Sequence, residues 1–225
     1  MMQMSNNTPV AASAYELAYG FLRKGIKEGR LKRGERVKAE DIAAQLGISR
    51  MPVREAIRQL DSEGLLTIRP NRGPVVTVLS ADQILELFEM RAALEGLAIR
   101  RAAPRFTVDD FDELELRLRR LERAKNDSDQ RLVHHDAFHD LICQRSGGEF
   151  LATEVKRLRT LIEPYLRIEL ADADPDGFAA EHRELLEALR GGDAAHCEAV
   201  MHEHIVSTAH ALIWAMTAAS AVSTS

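Results

Sequence analysis

The stretch Asp41-Ile-Ala-Ala-Gln-Leu-Gly-Ile-Ser-Arg-Met-Pro-Val-Arg-Glu-Ala-Ile-Arg-Gln-Leu60 decides the fold of the first third of the chain. It predicts a short helix, a turn at Gly47 and a second helix capped by Ser49, since serine is favoured at that position. The second helix carries arginines at a spacing of four on one side: Arg50, Arg54 and Arg58. Two short helices in this order, with a basic flank on the second, are typical of a helix-turn-helix that places its second helix in a DNA groove.

The residues after these helices predict a wing, which is a strand, a basic turn and a second strand beside the recognition helix. The first strand is expected at 65–68 and the second at 75–79. The turn between them holds Arg72 and Gly73, and the bare backbone of a glycine can approach a phosphate or the minor groove closely. The alternative is an ordinary solvated basic helix face, which does not explain why turn, arginines and wing occur in one order.

Charge divides the chain into two parts. Residues 1–79 hold 13 Lys and Arg against 8 Asp and Glu, whereas residues 80–225 hold 17 against 27. The net charge of −5 therefore conceals a basic front end, as expected when a DNA-binding domain precedes a domain with a different task. We expect a flexible leader at 1–13, a winged helix-turn-helix domain at 14–79, a helical domain at 80–220 and a tail at 221–225.

The pattern after residue 79 is wholly helical. Ser80 and Gln83 form a capping box that begins a long helix, which should end at Ala103 because Pro104 cannot continue it. Five more helices are expected at 107–126, 129–146, 149–170 (bent at Pro164), 176–190 and 193–218. The sequence thus predicts a mainly α fold, in which a winged helix-turn-helix of three helices and a two-stranded wing is joined to an all-α antiparallel bundle.

Cysteine content and hydropathy indicate the compartment. Cys143 and Cys197 are too few and too far apart in sequence to suggest a disulfide framework, so reduced thiols are expected. No apolar run approaches the length of a membrane span, and the first residues lack a signal-peptide pattern. These features predict a cytoplasmic protein without a membrane partner.

All eight histidines lie after residue 79, and four of them are spaced so that they could meet. His135 and His139 are one helical turn apart, while His182 and His204 lie on the fifth and sixth predicted bundle helices. Four neutral imidazoles could hold one divalent transition ion. Asp136 competes with His135 for that role, because the two lie about 100° apart around the helix and cannot aim equally well at one ion.

The alternative for any single histidine is a scattered interior or surface side chain. Four histidines are assigned to that class: His134, His196, His202 and His210. Cys143 lies one turn past His139 and could face the same cavity as the candidate ligands.

Several of these stretches resemble a known family. Residues 46–56, residues 60–65 and the Arg72-Gly73 turn resemble the winged helix-turn-helix of GntR-type bacterial transcription regulators. The helical remainder resembles the FCD ligand-binding domain of the FadR subfamily, through residues 88–95, 138–139, 181–182, 192–193 and 204. Six predicted bundle helices favour the VanR-like branch of that subfamily over the seven-helix FadR-like branch.

The resemblance implies which residues contact DNA. They are the start of the recognition helix and the tip of the wing: Ser49, Arg50, Met51, Arg54, Arg72 and Gly73. We expect Arg50 to read a base, because a guanidinium can bond guanine bidentately, and Arg54 to clamp a phosphate.

The resemblance also implies a metal and an effector. Many FCD domains bind a metal through one Asp and three His, and the three His positions match His139, His182 and His204. His135 occupies the Asp position, which leaves either an all-imidazole site or Asp136 as the fourth ligand; Zn or Ni is the expected ion. Arg91 matches a family arginine that can face the cavity, and it could bind an effector carboxylate or pair with Glu95 one turn along.

These features together predict a homodimeric repressor or activator that binds a palindromic DNA operator and is controlled by a small, carboxylate-bearing effector. One alternative is a metal sensor, in which the ion is itself the signal. Another is a helical metallohydrolase, because an open-sided His site can activate water. We expect no enzymatic activity, since no general-base motif accompanies the histidines and an enzyme leaves the winged domain unexplained.

Overall fold

The computed structural model describes residues 13–172 and 174–222, and the chain divides into two compact units, Met1–Val78 and Leu79–Ser225. Most of the predicted leader lies outside the described residues, and Ser13 caps the first helix through its side chain. Of the predicted tail, 223–225 lie outside the described residues, while 221 and 222 end the last helix.

The first unit is a three-helix domain with a two-stranded wing. Its elements are α1 (Ala14–Lys27), α2 (Ala39–Leu46), α3 (Arg50–Ser62), β1 (Leu66–Arg69) and β2 (Gly73–Val76). Gly47 ends α2 with a φ of 66°, a left-handed conformation that glycine adopts without steric cost. Apolar residues spaced by three and four positions, such as Val53, Ile57 and Leu60, bury one side of α3, so its arginines remain outside.

The wing differs from the predicted one in its second strand, which begins at Gly73 and ends at Val76. Ile68 lies opposite Pro74 and Arg69 lies opposite Gly73 in the antiparallel register. The expected bounds were wrong because Asn71 and Gly73 both adopt positive φ, which confines the turn to three residues and brings Pro74 into the ladder.

The edge of β2 that does not pair with β1 is hydrogen-bonded to the segment before α2, a contact that the sequence did not indicate. Gly34 N donates to Val76 O, Val37 N donates to Pro74 O, and Arg36 forms a bridge with Val75. The basic segment before α2 is therefore attached to the wing, which places Arg36 beside the wing turn.

The second unit is a helical bundle, and the mainly α fold class is confirmed. Its elements are α4 (Ala81–Ala102), a 3₁₀ turn (Ala103–Arg105), α5 (Val108–Arg123), α6 (Ser128–Arg145), α7 (Glu149–Asp172), α8 (Pro175–Gly191) and α9 (Ala194–Val222). The capping box of Ser80 and Gln83 is present, and α7 continues through Pro164. The last helix extends four residues beyond its expected end at residue 218.

One apolar core fixes the positions of the bundle helices. Phe88 on α4 and Phe138 on α6 are fully buried, and they share one apolar cluster with the leucine stripe of α5, Leu114, Leu118 and Leu121. Each fully buried side chain of this size contributes roughly 1.5–3 kcal/mol through burial alone. This packing sets the faces that α6, α8 and α9 turn inward. Among the described residues, no helix is both long and apolar enough to cross a bilayer.

Candidate functional site

The start of α3 is exposed and chemically free to contact a ligand. Ser49 occupies the N-cap position, yet its hydroxyl makes no capping hydrogen bond. Met51 is 62% exposed although it is apolar, while the other apolar side chains of α3 face the core. A free hydroxyl can bond a phosphate, and an exposed methionine can contact a thymine methyl group.

The two arginines of α3 that are predicted to contact DNA share one carboxylate. Arg50 Nη1 donates to Oε1 of Glu40 at 3.4 Å, and Arg54 Nη2 lies 3.7 Å from the same oxygen. Bonds from its own backbone N–H and from Arg50 lower the pKa of Glu40, which therefore remains ionised. The sequence did not indicate Glu40, because contact between the start of α2 and the flank of α3 depends on the angle between the helices.

A groove of about 240 Å³ lies beside this pair of arginines. Its charged lining residues come from the segment before α2, from α2 and from α3: Arg36, Lys38, Glu40, Arg54 and Arg58. Arg72 is exposed at the wing turn, where Gly73 adopts a φ of 73°. The first unit therefore presents four cations and one anion around a groove next to the exposed end of α3.

The four candidate histidines of the second unit come together. His135 and His139 lie on α6, His182 on α8 and His204 on α9, and one ligand atom from each lies within 4.8 Å of the others. All four are at least nine-tenths buried. Imidazoles from three helices therefore meet at one interior point. This arrangement distinguishes the cluster from histidines that are scattered over the surface.

The outward nitrogens of three of these rings already have partners. His182 Nδ1 lies 2.8 Å from Phe178 O, His204 Nδ1 lies 2.8 Å from Oε2 of Glu181, and His135 Nδ1 lies 3.2 Å from Oδ1 of Asp136. A metal-binding histidine commonly donates its other ring N–H to a carboxylate or carbonyl in this way. Such bonds set the tautomer that leaves Nε2 as the ligand atom.

The inward nitrogens of two rings lack a hydrogen-bond partner. Nε2 of His139 and Nε2 of His182 are buried and unpartnered among the described residues, a costly state for polar atoms. Burial lowers the pKa of His135 and holds those of His139 and His182 well below the usual range, so these rings are neutral at pH 7. Neutral imidazoles with unused inward nitrogens fit a divalent transition ion.

A buried carboxylate lies behind the cluster. Glu95 accepts from Arg91 Nε at 2.9 Å and from Arg159 Nη2 at 2.9 Å, and its Oε2 lies 3.2 Å from His139 Nδ1 without hydrogen-bond alignment. Although burial acts to raise its pKa, Arg159 and Arg91 outweigh that effect and hold the pKa of Glu95 well below its usual range. Glu95 is therefore an ionised member of a buried network.

Arg91 belongs to this buried network. Arg159 belongs to it as well, although the sequence did not indicate this residue. Arg91 forms the pair with Glu95 that was one of its two expected arrangements. Arg159 also donates to Asp140 at 2.7 Å, so it links α4, α6 and α7. No spacing in the sequence signals a residue that joins three helices, and Arg159 was missed for that reason.

The remaining candidates lie outside the ligand group. Asp136 contacts His135 and is not among the four clustered ligands, so the geometry groups His135 rather than Asp136 with the other imidazoles. Cys143 packs with Ala98 and Val155, and burial raises the pKa of its thiol to about 12. Four histidines also lie outside the group: His134, His196, His202 and His210.

A winged helix-turn-helix unit followed by an all-helical bundle is the architecture of a class of bacterial transcription regulators. Comparison with protein families gives the particular family. The model described as "Bacterial regulatory proteins, gntR family" matches residues 14–76, and the FCD domain model matches residues 86–207. The chain belongs to the GntR family of transcription regulators and carries an FCD domain, as the sequence motifs predicted.

Individual relatives agree with this assignment. The chain is 31% identical, over 84% of its length and 86% of the relative's, to a probable D-xylose utilization operon transcriptional repressor of Paenarthrobacter nicotinovorans. It is 26% identical to the transcriptional repressor RspR of Escherichia coli K12, over 90% and 89% of the two chains. The solved structure of E. coli McbR/YncC is similar, with a TM-score of 0.75, 26% identity, and coverage of 91% and 98%.

Proposed function

We propose that this GntR-family regulator changes its affinity for a DNA operator when a small carboxylate effector binds near a divalent transition metal, Zn or Ni. The metal is held by His135, His139, His182 and His204. The arrangement of the rings carries this proposal: three Nδ1 atoms have outward partners, and two buried Nε2 atoms have none among the described residues.

On the DNA side, the contacts come from the exposed start of α3 and from the wing. Arg50 reads a base edge and Arg54 clamps a phosphate, while Arg72 and Gly73 bring the wing close to the backbone. The free hydroxyl of Ser49 and the exposed side chain of Met51 complete the contacting set. Two copies, acting as a cytoplasmic homodimer, would bind the half-sites of a palindromic operator.

On the effector side, the protein supplies the ligands and fixes their direction. Glu181, Asp136 and the carbonyl of Phe178 hold three imidazoles through Nδ1, so the rings need little reorganisation to bind an ion. When bound, the ion supplies a positive centre that can accept a carboxylate oxygen. Effector and operator then influence each other reciprocally, since each favours one of two arrangements of the protein.

Loss of metal on mutation tests the ligand set. His139→Ala and His182→Ala should lose bound ion, whereas the exposed His202→Ala on α9 is the matched control and should keep about one ion per chain. Elemental analysis of purified protein measures the ion content, and circular dichroism shows whether the helices persist. Equal metal content in all three folded variants, or no metal in the wild type after loading with Zn²⁺ or Ni²⁺, would overturn the assignment.

A second candidate function is a metal sensor. If the bound ion is tetrahedral, as Zn²⁺ is in structural sites, the four protein ligands fill its coordination and leave no position for an organic ligand. Operator affinity measured with Zn²⁺ and with a chelator, without organic acids, separates the two candidates. A sensor changes affinity on metal addition alone, whereas an effector-controlled regulator changes it only when the acid is also present.

A further inference from the structure

Among the described residues, one buried cation of the bundle has no partner of opposite charge. Arg131, on the first turn of α6, is 4% exposed, and its Nε and Nη1 atoms have no hydrogen-bond partner in the part of the chain that the structure describes. No ion pair to Arg131 is present among the described residues. Its guanidinium carbon instead lies 5.8 Å from the ring centroid of Phe178.

The other buried arginines of the described bundle have a partner of opposite charge. Arg91 and Arg159 both bond the carboxylate of Glu95, so their charges are compensated within the protein. A buried guanidinium without a carboxylate is strongly unfavourable, because a charge taken out of water loses its hydration and gains nothing in return unless it is paired. Arg131 is thus set apart from Arg91 and Arg159 by its unused donors.

Arg131 also lies next to the histidine cluster. It precedes His135 by four residues on α6, so the two side chains emerge from the same side of the helix. Phe178 contacts both regions, because its ring centroid lies 5.6 Å from that of His135 and 4.8 Å from that of His182. The unpaired guanidinium and the imidazoles therefore share one aromatic neighbour in the bundle interior.

We infer that Arg131 is the residue that receives the carboxylate of the effector, while Arg91 is committed to Glu95. This inference rests on the proposed function, since it places the acid near the metal site. A guanidinium offers a planar fork of donors that matches a carboxylate bidentately, which a point-charge ammonium does not. The recognised ligand class is a small organic acid that neutralises Arg131 on entering the bundle.

Acetate, the smallest carboxylate probe, tests this role in the full-length protein loaded with Co²⁺. Visible absorption of the bound ion reports metal occupancy, and its change on acetate titration at constant ionic strength reports anion binding. Wild type should bind acetate saturably, whereas Arg131→Met should bind it at least about tenfold more weakly with unchanged metal content. Arg120→Met, which removes an exposed arginine on α5, is the matched control and should titrate like the wild type.

The outcomes separate this inference from the proposed function. Failure of wild type to take up Co²⁺ contradicts the metal site itself. Normal Co²⁺ uptake with equal acetate affinity in wild type and Arg131→Met, or with no acetate binding at all, contradicts only the role of Arg131. If Arg131→Met does not fold, Arg131→Lys keeps the charge without the fork, and it must bind acetate at least about threefold more weakly than the wild type for the inference to stand.

Discussion

The two units use the same pair of chemical groups, arginine and glutamate, in opposite surroundings. In the first unit Arg50 and Arg54 share Glu40 on an exposed surface, at 3.4 and 3.7 Å. In the second unit Arg91 and Arg159 share Glu95 in the interior, each at 2.9 Å. Exposed pairs are worth little and exchange readily for other partners, whereas breaking a buried pair is costly. The first arrangement suits arginines that exchange a carboxylate for DNA, and the second suits arginines that hold helices together.

The largest effect should follow from removing the buried carboxylate. Glu95→Ala leaves two buried guanidinium groups without their partner, so the free energy of unfolding should fall by about 3–5 kcal/mol. Urea denaturation monitored by circular dichroism measures it. The control is Glu187→Ala, which removes an exposed partner of Arg190 and should change stability by no more than about 0.5 kcal/mol. Similar losses of stability in both variants would show that the buried pair stabilises the fold no more than the exposed pair does.

The next effect concerns sequence-specific DNA binding. Arg50→Ala should abolish most discrimination between operator and random DNA, because a bidentate contact to guanine contributes about 1–3 kcal/mol of specificity. An operator for this test can be selected from a randomised duplex library with the wild-type protein. Gel-shift titrations on the selected and scrambled duplexes give the ratio of affinities. An unchanged ratio in Arg50→Ala would remove Arg50 from the base-reading role.

Loss of the phosphate clamp should have a different signature. Arg54→Ala should weaken binding to selected and scrambled duplexes by the same factor and reduce the slope of log affinity against log salt by about 1. Titrations at several salt concentrations supply the slope. A change confined to the selected duplex would instead make Arg54 a base reader.

The smallest effect should come from the exposed carboxylate. Glu40→Gln releases Arg50 and Arg54 and removes one negative charge from the groove, so affinity for scrambled DNA should rise by less than about fivefold at low salt. Asp41→Asn makes the same charge change next to it, but Asp41 contacts Lys38 rather than these arginines. If both variants raise the affinity equally, the loss of one negative charge explains the increase, and release of Arg50 and Arg54 from Glu40 does not.

Sequence alone predicted the features that depend on local spacing. Helical periodicity gave the helix-turn-helix and the six bundle helices, and the spacing of His135 and His139 gave the first two members of the cluster. Features that depend on the packing of distant elements were not accessible. Arg159 meets Glu95 across 64 positions, and the contact of Glu40 with α3 depends on the angle between two helices. The wing strand was misplaced because positive φ at a non-glycine residue, Asn71, has no strong sequence signal.

Occupancy of the buried histidine site should control DNA binding by the exposed start of α3. Fluorescence anisotropy with the selected operator tests it most directly, using metal-loaded protein and the organic acid that most raises the melting temperature in a panel. This acid should change the Kd of the wild type for the operator by about 5- to 150-fold, and folded His182→Ala should still bind DNA but show no such change. The same response in His182→Ala, or none in the wild type, would contradict it.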